Sequence, residues 1–210
     1  MKNQWKIISI LLSAVIIILS LTIFENREPK ELKSEKSDQD IILNSIATRT
    51  SVRKFTNQKI EAAKIEQILK VGMSAPTAGN RQPWEFYVVS DTTLIKQFPK
   101  VTRYTSPMHK TALTAIIVCG NPSKSFPKQP LYWVQDCSAA TENILLAAHA
   151  MDLGAVWCGV YPVEKSVATL REMMNIPDEL VPLNIIMLGY PDAEQKVKDK
   201  WKPEKVHYIN

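Results

Sequence analysis

The sequence lacks the residue patterns that mark several large classes of protein. It contains three cysteines and three histidines, with no CxxC pair and no spacing typical of metal ligands. An HExxH motif, a P-loop and a Ser/His/Asp set with convincing spacing are also absent. Cys119, Cys137 and Cys158 lie in or next to apolar runs. We therefore expect buried thiols rather than a disulfide framework, and no metal site.

Charge gives a second exclusion. The net charge is +5, but no dense basic run with interleaved aromatics stands out, so the sequence does not favour a nucleic-acid partner. Within residues 1–40 six Lys/Arg balance six Asp/Glu, so the positive excess belongs to residues 41–210. Such an excess fits a site for a phosphate-bearing ligand or a solubilising surface, and charge alone does not choose between them.

Residues 7–24 form the one long uncharged apolar run, and Lys2 and Lys6 precede it. A run of 18 residues is close to the minimum of about 17–25 that spans a bilayer. We interpret it as an uncleaved membrane anchor, with a cleaved signal as the second reading and a core helix as the third. The flanking lysines favour a cytoplasmic N-terminus, which predicts a membrane-anchored protein with its domain on the extracytoplasmic side.

The remaining chain divides by composition. Residues 25–40 are charged and nearly free of apolar side chains, which is typical of a solvated linker. We therefore predict an anchor or signal segment over 1–24, a linker over 25–40 and one folded domain over 41–210. Helical periodicity marks 41–48, 61–73, 135–153 and 163–174, and strand-like runs cover 85–91, 111–120, 155–160 and 183–190. Such alternation predicts a sheet covered by helices.

The stretch "ATRTSVRKF" places Arg49, Ser51 and Arg53 on every second residue. In an extended segment these side chains share one face. Two guanidiniums and a hydroxyl on one face suit a phosphate, although a solvated charged strand has the same pattern.

The stretch "SAPTAGNRQPW", residues 74–84, is a stiff connection rich in amides. Pro76 and Pro83 each fix a φ angle and remove a backbone donor, and Gly79 permits conformations that other residues avoid. The side chains of Asn80 and Gln82 offer both donors and acceptors, which suits the edge of a planar heterocycle.

Taken in order, these stretches resemble the nitroreductase-like flavoproteins. The resemblance covers "RTSVRKF", "APTAGNRQPWEFYVV", "DCSAATENILLAAHAMDLGAVWCGVYP" and "LGYP", from about residue 41 to the end. It implies an α+β fold with a central, mostly antiparallel sheet flanked by helices, here preceded by a transmembrane or signal helix. It also implies an intertwined homodimer with FMN at the interface, NAD(P)H as hydride donor, and a small nitroaromatic or quinone-like acceptor.

The resemblance carries over residue by residue. Arg49, Ser51 and Arg53 match contacts to the phosphate and ribityl chain, and Lys198 and Lys200 match basic residues that close over the phosphate. The loop that reaches the flavin from the partner subunit corresponds to Pro76, Thr77, Asn80 and Gln82. The segment along the isoalloxazine ring corresponds to Trp157, Cys158, Gly159 and Val160. No catalytic acid or base is expected, because the flavin carries the redox chemistry.

Three readings of function follow. The first is an NAD(P)H-dependent, FMN-containing oxidoreductase of the nitroreductase type. The second is a membrane-tethered flavin module that senses or relays electrons to a protein or quinol partner. The third is a membrane-anchored interaction domain without a cofactor, and the phosphate-like face and the stiff loop argue against it. Three further residues, Tyr104, His109 and Phe126, are candidates for the substrate side without any pattern that requires it. We interpret His149 as a core residue and Asp136 and Glu142 as charges of a helix start and a solvated face.

Overall fold

The computed structural model describes residues 37–209, and within them helices and strands alternate along the chain. The helices are α1 (Asp38–Thr48), α2 (Ala62–Met73), α3 (Thr92–Ile95), α4 (Tyr132–Ala150) and α5 (Glu164–Met174). The strands are β1 (Trp84–Val89), β2 (Thr114–Gly120), β3 (Gly154–Gly159) and β4 (Val181–Gly189). Short 3₁₀ turns lie between several of these elements.

The four strands form one sheet in the order β1-β2-β4-β3. Each neighbouring pair is antiparallel, with Trp84 opposite Gly120 at one end of the β1–β2 pair and Gly154 opposite Gly189 in the β3–β4 pair. The strands β1 and β3 are therefore the two edges. The prediction of an α+β fold with an antiparallel sheet flanked by helices is confirmed.

Strand β2 shows why the sheet needs helices on both faces. All seven of its residues are buried, so the strand presents apolar side chains to two layers. Ile116 and Val118 pack in the cluster that contains Ile68 of α2 and Ile144 of α4. Alternate residues such as Ile117 pack in the opposite cluster with Leu170 of α5. The alternation of side chains along a strand thus divides the core into two layers.

Helices α2 and α4 approach each other closely because small residues face the contact. A Cβ built on Gly72 would lie 2.8 Å from Cγ1 of Ile144. Ala140 and Ala148 of α4 are buried in the same cluster. These small residues of α4 serve the core of the subunit.

The predicted helix 135–153 differs from the observed one at both ends. Helix α4 begins at Tyr132 and ends at Ala150, since Asp152 adopts a left-handed φ of 62° that breaks the helical path. Gly154, which directly follows the predicted helix, is the first residue of β3. A Cβ at Gly154 would lie 2.6 Å from Cβ of Val52, so this glycine permits a close approach of two backbones.

Residues 91–109 contain short elements that the sequence did not predict. The carboxylate of Asp91 accepts the amide hydrogens of Thr93 and Leu94 and caps α3, and 3₁₀ turns follow at Phe98–Lys100 and Arg103–Thr105. Helices of one turn leave little periodicity to detect. This segment covers the sheet face opposite α2 and α4, with Ile95 and Phe98 fully buried.

The predicted membrane-anchored localisation is corrected. Over residues 37–209 the structure has no helix that is both long enough and apolar enough to cross a bilayer. The longest helix there, α4, has 19 residues, but it carries Asp136, Glu142 and His149 and contributes its apolar side to the core. The apolar run 7–24, on which the prediction of an anchor and an extracytoplasmic domain rested, lies outside the described residues.

Candidate functional site

The segment that follows α1 is fixed against the edge strand β3. Ser51 forms a parallel bridge with Ala155, and the amide of Val52 donates a hydrogen bond of 3.1 Å to the carbonyl of Ala155. The Val52 side chain is buried, whereas Arg53 is exposed. The alternation predicted for this stretch is therefore real over Ser51, Val52 and Arg53, with Val52 as the inward residue that holds it.

A basic cavity of about 390 Å³ opens beside this segment. Its lining combines hydroxyls and an amide with four cationic side chains, and it includes no Asp or Glu: Thr50, Ser51, Arg53, Gln195, Lys196, Lys198 and Lys200. The cavity thus brings together four residues that the sequence predicted for the phosphate. Ser51 and Arg53 lie about 150 residues before Lys198 and Lys200 in the chain. Such a lining suits a phosphate, since charged donors match its oxygens.

A second cavity, of about 680 Å³, runs along β3 and is called here the strand-edge cavity. Its lining residues come from Arg53, the strand itself and the turn before β2: Arg53, Arg103, Tyr104, Ser106, Pro107, Val156, Trp157, Cys158 and Gly159. Arg53 lines both cavities, so it stands at their junction.

Beyond Ala155, where the segment after α1 is bonded, the outer edge of β3 presents main-chain groups to this space. In an antiparallel ladder the residues that bond to the neighbouring strand alternate with residues that point away from it. The carbonyl of Ala155 points away from β4, because it accepts the amide of Val52. Trp157 and Gly159 continue that outward set, so their main-chain groups face the cavity side. A Cβ built on Gly159 meets no atom within 4 Å, so the space beside it is open.

Val160 does not join the predicted set along the ring. Its side chain is 1% exposed, and its amide donates to the carbonyl of Leu183 over 3.0 Å. The amide is therefore occupied inside the fold, and Val160 lines neither cavity. Its contact with the cofactor stays a prediction, and within one chain Val160 has a packing role.

The loop 76–82 lies away from both cavities. Pro76, Thr77, Asn80 and Gln82 line neither of them, and the side chains of Asn80 and Gln82 are exposed. Gly79, Asn80 and Gln82 have φ angles of 58°, 54° and 47°, which is unusual for the two residues that are not glycine. Within one chain, therefore, this loop does not line the cavities that the other predicted contact residues form.

Internal hydrogen bonds maintain this unusual backbone. The amide of Gln82 donates to the hydroxyl of Thr77 over 3.2 Å, and the Gln82 side-chain amide donates to Oδ1 of Asn80 over 2.8 Å. Trp84, which follows the loop, is buried in the core. The predicted stiff, amide-rich turn is therefore present, with its polar groups turned outward.

Arg49 is directed elsewhere. Its Nε donates to Oε1 of Glu142 on α4 over 3.1 Å, its side chain is 18% exposed, and it lines neither cavity. Glu142 is exposed, as expected for a solvated face, and it also holds this guanidinium. Seven residues further along α4, Nε2 of His149 lies 2.9 Å from the hydroxyl of Thr48, so one helix face fixes the end of α1.

Comparison with known proteins identifies this combination of sheet, segment and loop. A model described as Nitroreductase family matches residues 46–115 and 124–190, which include β1, β3, β4, the start of β2 and both polar stretches. The chain belongs to the nitroreductase family.

Relatives across this family cover most of the chain. A provisionally named NADH dehydrogenase/NAD(P)H nitroreductase of Archaeoglobus fulgidus is 44% identical over 169 residues, which are 79% of this chain and 95% of the relative. A solved structure under the same description from Bacteroides thetaiotaomicron has a TM-score of 0.75 at 42% identity and covers 80% of this chain and 96% of that one. A provisionally named nitroreductase of Desulfovibrio desulfuricans, solved in complex with FMN, has a TM-score of 0.71 at 28% identity, with coverages of 80% and 96%.

The thiol nearest to the site of this nitroreductase-family chain is unreactive by environment. Cys158 is 1% exposed, and its Sγ lies 3.6 Å from the carbonyl oxygen of Tyr104. Burial raises the pKa of the Cys158 thiol to about 12, although the positive charge of Arg53 acts in the opposite direction. Burial likewise raises the pKa of Cys119 to about 12. The thiols therefore stay protonated at neutral pH.

The sequence missed part of the lining. Arg103, Ser106 and Pro107 belong to the strand-edge cavity, and Thr50, Gln195 and Lys196 belong to the basic cavity. Of the three substrate-side candidates, Tyr104 lines the strand-edge cavity, whereas Phe126 packs near Gly79 and His109 bonds within its own turn. The guanidinium of Arg103 lies 5.3 Å from the ring centroid of Tyr104. No sequence pattern in the irregular stretch before β2 indicated that Arg103, Ser106 and Pro107 line a cavity.

Proposed function

We propose that this member of the nitroreductase family is an FMN-dependent oxidoreductase that takes electrons from NAD(P)H and reduces nitroaromatic or quinone-like acceptors by two electrons. The observation that carries the proposal is the position of Arg53 at the junction of a basic cavity and a longer cavity along β3. FMN has a phosphate at one end and a planar ring at the other, so one ligand fits both.

The residues of the basic cavity suit the phosphate. Arg53 offers a forked, permanently charged donor, Lys198 and Lys200 add compact charges, and Ser51 adds a hydroxyl. No carboxylate in the lining opposes an anion. We infer that Arg49 contributes from the side, with its orientation fixed by Glu142, since a guanidinium that donates through Nε still has four N–H groups free.

The residues of the strand-edge cavity suit the ring. The outward main-chain groups of Trp157 and Gly159 match the polar edge of an isoalloxazine, and Gly159 leaves the space for a flat group to approach the strand. When bound, FMN would supply the hydride and electron chemistry that protein side chains lack. The chain's own residues then need only bind and orient the reactants, which agrees with the absence of any proposed catalytic side chain.

A second copy of the chain would complete the site. The loop with Thr77, Asn80 and Gln82 presents polar groups outward but reaches neither cavity of its own chain. Helix α1 has no buried residue, and Ile42, Leu43 and Ile46 are each more than half exposed. Such an apolar face favours association. We therefore propose a homodimer in which each loop contacts the FMN bound by the partner.

The names of relatives support the electron donor and the cofactor. The Archaeoglobus relative is described as acting with NADH or NAD(P)H, and the Desulfovibrio structure contains FMN. At 44% and 28% identity these proteins support the reaction class, and the acceptor class belongs to our proposal.

Titration of the full chain with FMN tests the proposal, with Arg53→Ala and Lys54→Ala as a matched pair. Lys54 is the next residue, pairs with Asp192 over 2.7 Å and lines neither cavity. We expect Arg53→Ala to weaken FMN binding at least tenfold, because a hydrogen bond to a charged group contributes about 1.5–3 kcal/mol. Lys54→Ala should bind FMN as the wild type does.

The loaded protein should then oxidise NADH or NADPH in the presence of a nitroaromatic or a quinone, and the two donors and two acceptors are compared separately. A full chain that binds no FMN, or an Arg53→Ala variant with unchanged affinity, would contradict the proposed site. Turnover with neither acceptor class, despite tight FMN binding, would contradict only the proposed acceptors.

A further inference from the structure

Asp136 is a buried carboxylate that the proposed function does not yet use. It is the fifth residue of α4, and 5% of its surface is exposed. Oδ1 accepts the amide hydrogen of Ala78 over 2.9 Å, whereas Oδ2 is buried without a hydrogen-bond partner among the described residues. Asp136 was interpreted as a charge of a helix start; it lies near the start of α4, and its carboxylate is buried against the loop 76–82.

Packing alone does not account for this residue. Burying a carboxylate with one unsatisfied oxygen costs folding free energy, and an apolar side chain of similar volume would avoid that cost. What the carboxylate does supply is an acceptor for Ala78, the first residue of the 3₁₀ turn Ala78–Asn80. That turn has no side-chain cap of its own, since the Thr77 hydroxyl accepts from Gln82 instead.

The turn that Asp136 anchors is strained and otherwise weakly attached. Left-handed φ angles at Asn80 and Gln82 persist only where the surroundings impose them. Among the described residues, the other attachments of the turn include an exposed hydrogen bond of 3.2 Å from Nε of Arg81 to the carbonyl of Lys124, and the Phe126 ring lies near Gly79. The bond to Asp136 is part-buried and its acceptor is a buried carboxylate, so it is better protected from competition with water than the exposed bond of Arg81.

We propose that Asp136 is a positioning residue that holds the loop 76–82 in the shape needed to contact FMN in the partner subunit. The inference rests on the proposed function, because it requires the dimer and the cofactor. Asp136 and the loop line neither cavity of their own chain, so the effect of Asp136 passes to the other subunit.

Two substitutions separate the acceptor from the charge. Asp136→Asn keeps an oxygen that can accept from Ala78, whereas Asp136→Leu has nearly the same size and no acceptor. We expect FMN affinity within about twofold of the wild type for Asn, and a loss of about tenfold for Leu, which corresponds to one hydrogen bond of ordinary strength. If the fold merely required the carboxylate charge, Asp136→Asn would not retain FMN affinity.

Asp91→Ala is the matched control. Asp91 also accepts amide hydrogens, at 2.7 Å from Thr93, but it caps α3 and lines neither cavity. This variant should lose stability without losing FMN affinity. If Leu at position 136 prevents folding, Asp136→Ala makes the same comparison with less bulk.

Mixed dimers test whether Asp136 acts across the interface. Full chains carrying Asp136→Leu and Arg53→Ala are co-expressed with different affinity tags, and the dimer that retains both tags is isolated. If the loop acts on the partner, one site combines both defects and the other combines an intact Arg53 with an intact loop. We expect one tight FMN per mixed dimer, although each parent homodimer binds FMN weakly.

Failure of the positioning role can be distinguished from failure of the FMN site. A mixed dimer without a tight site, an Asp136→Leu homodimer with wild-type affinity, or an Asp136→Asn variant as weak as Leu would each overturn the positioning role while leaving the FMN site in place. Wild-type affinity in the Arg53→Ala homodimer would instead overturn the proposed function, and the inference with it.

Discussion

Gly154→Ala tests how the predicted binding segment is fixed against the sheet. A Cβ at this position would lie 2.6 Å from Cβ of Val52 and 2.7 and 2.8 Å from its two Cγ atoms. These distances are far inside the optimum of about 3.5–4.0 Å for carbon atoms. The φ of Gly154 lies outside the left-handed region, so the substitution is a steric perturbation and not a conformational one.

Val52 has little freedom to relieve the overlap. It is β-branched, it is 5% exposed, and its amide is bonded to the carbonyl of Ala155. The backbone of residues 51–53 must therefore move away from β3. Overpacking of this kind costs about 1–3 kcal/mol. Replacing glycine restores about 0.4–1 kcal/mol through the unfolded state. We expect a net loss of about 1–2 kcal/mol.

The loss is measured by thermal unfolding of the full chain without FMN. For a chain of this size 1 kcal/mol lowers Tm by about 2–4 °C, so the expected decrease is roughly 2–8 °C. FMN affinity should fall as well, because Ser51 and Arg53 flank Val52 and move with it.

Gly159→Ala is the control at the other end of the same strand. A Cβ there meets no atom within 4 Å, so Tm should not decrease, although the added methyl narrows the strand-edge cavity and should weaken FMN binding. An unchanged Tm for Gly154→Ala, or equal losses of Tm in both variants, would refute the reasoning that Val52 is clamped against Gly154.

Further predictions concern single side chains. Arg49→Ala should weaken FMN binding several-fold, but less than Arg53→Ala does. Equal FMN affinities of these two variants in titrations would contradict the side position proposed for Arg49. The hydroxyl of Tyr190 donates to Glu61 over 2.7 Å and lowers the pKa of that carboxyl, so the associated stability is present above about pH 4.5 and is lost as pH falls through the lowered pKa. The Tm difference between wild type and Tyr190→Phe should therefore shrink in acid, and a constant difference would exclude this linkage. Because its thiol has a pKa of about 12, Cys158 should resist alkylation at pH 8 in the native protein, as intact-mass measurements would reveal, and rapid labelling would contradict its burial.

The strands and longer helices could be predicted from the sequence because their periodicity is local. The alternation of Ile116, Ile117 and Val118 in a fully buried strand, and the helical spacing of Ile68 and Gly72, follow from residues a few positions apart. The left-handed turn at Asp152 and the one-turn helix α3 carried no such signal, so a helix end and a whole segment were missed.

For the site, the sequence by itself determined which polar stretches exist and which family they resemble. Ser51 and Arg53 alternate, the loop 76–82 is stiff, and basic residues follow β4, and each of these is a property of neighbouring residues. Only the tertiary structure decided which of them meet. It brings Lys198 and Lys200 to Arg53, directs Arg49 to Glu142, encloses the amide of Val160 and buries Asp136 beneath the loop. Contacts between residues far apart in sequence depend on how the layers pack on the sheet, which no local pattern encodes.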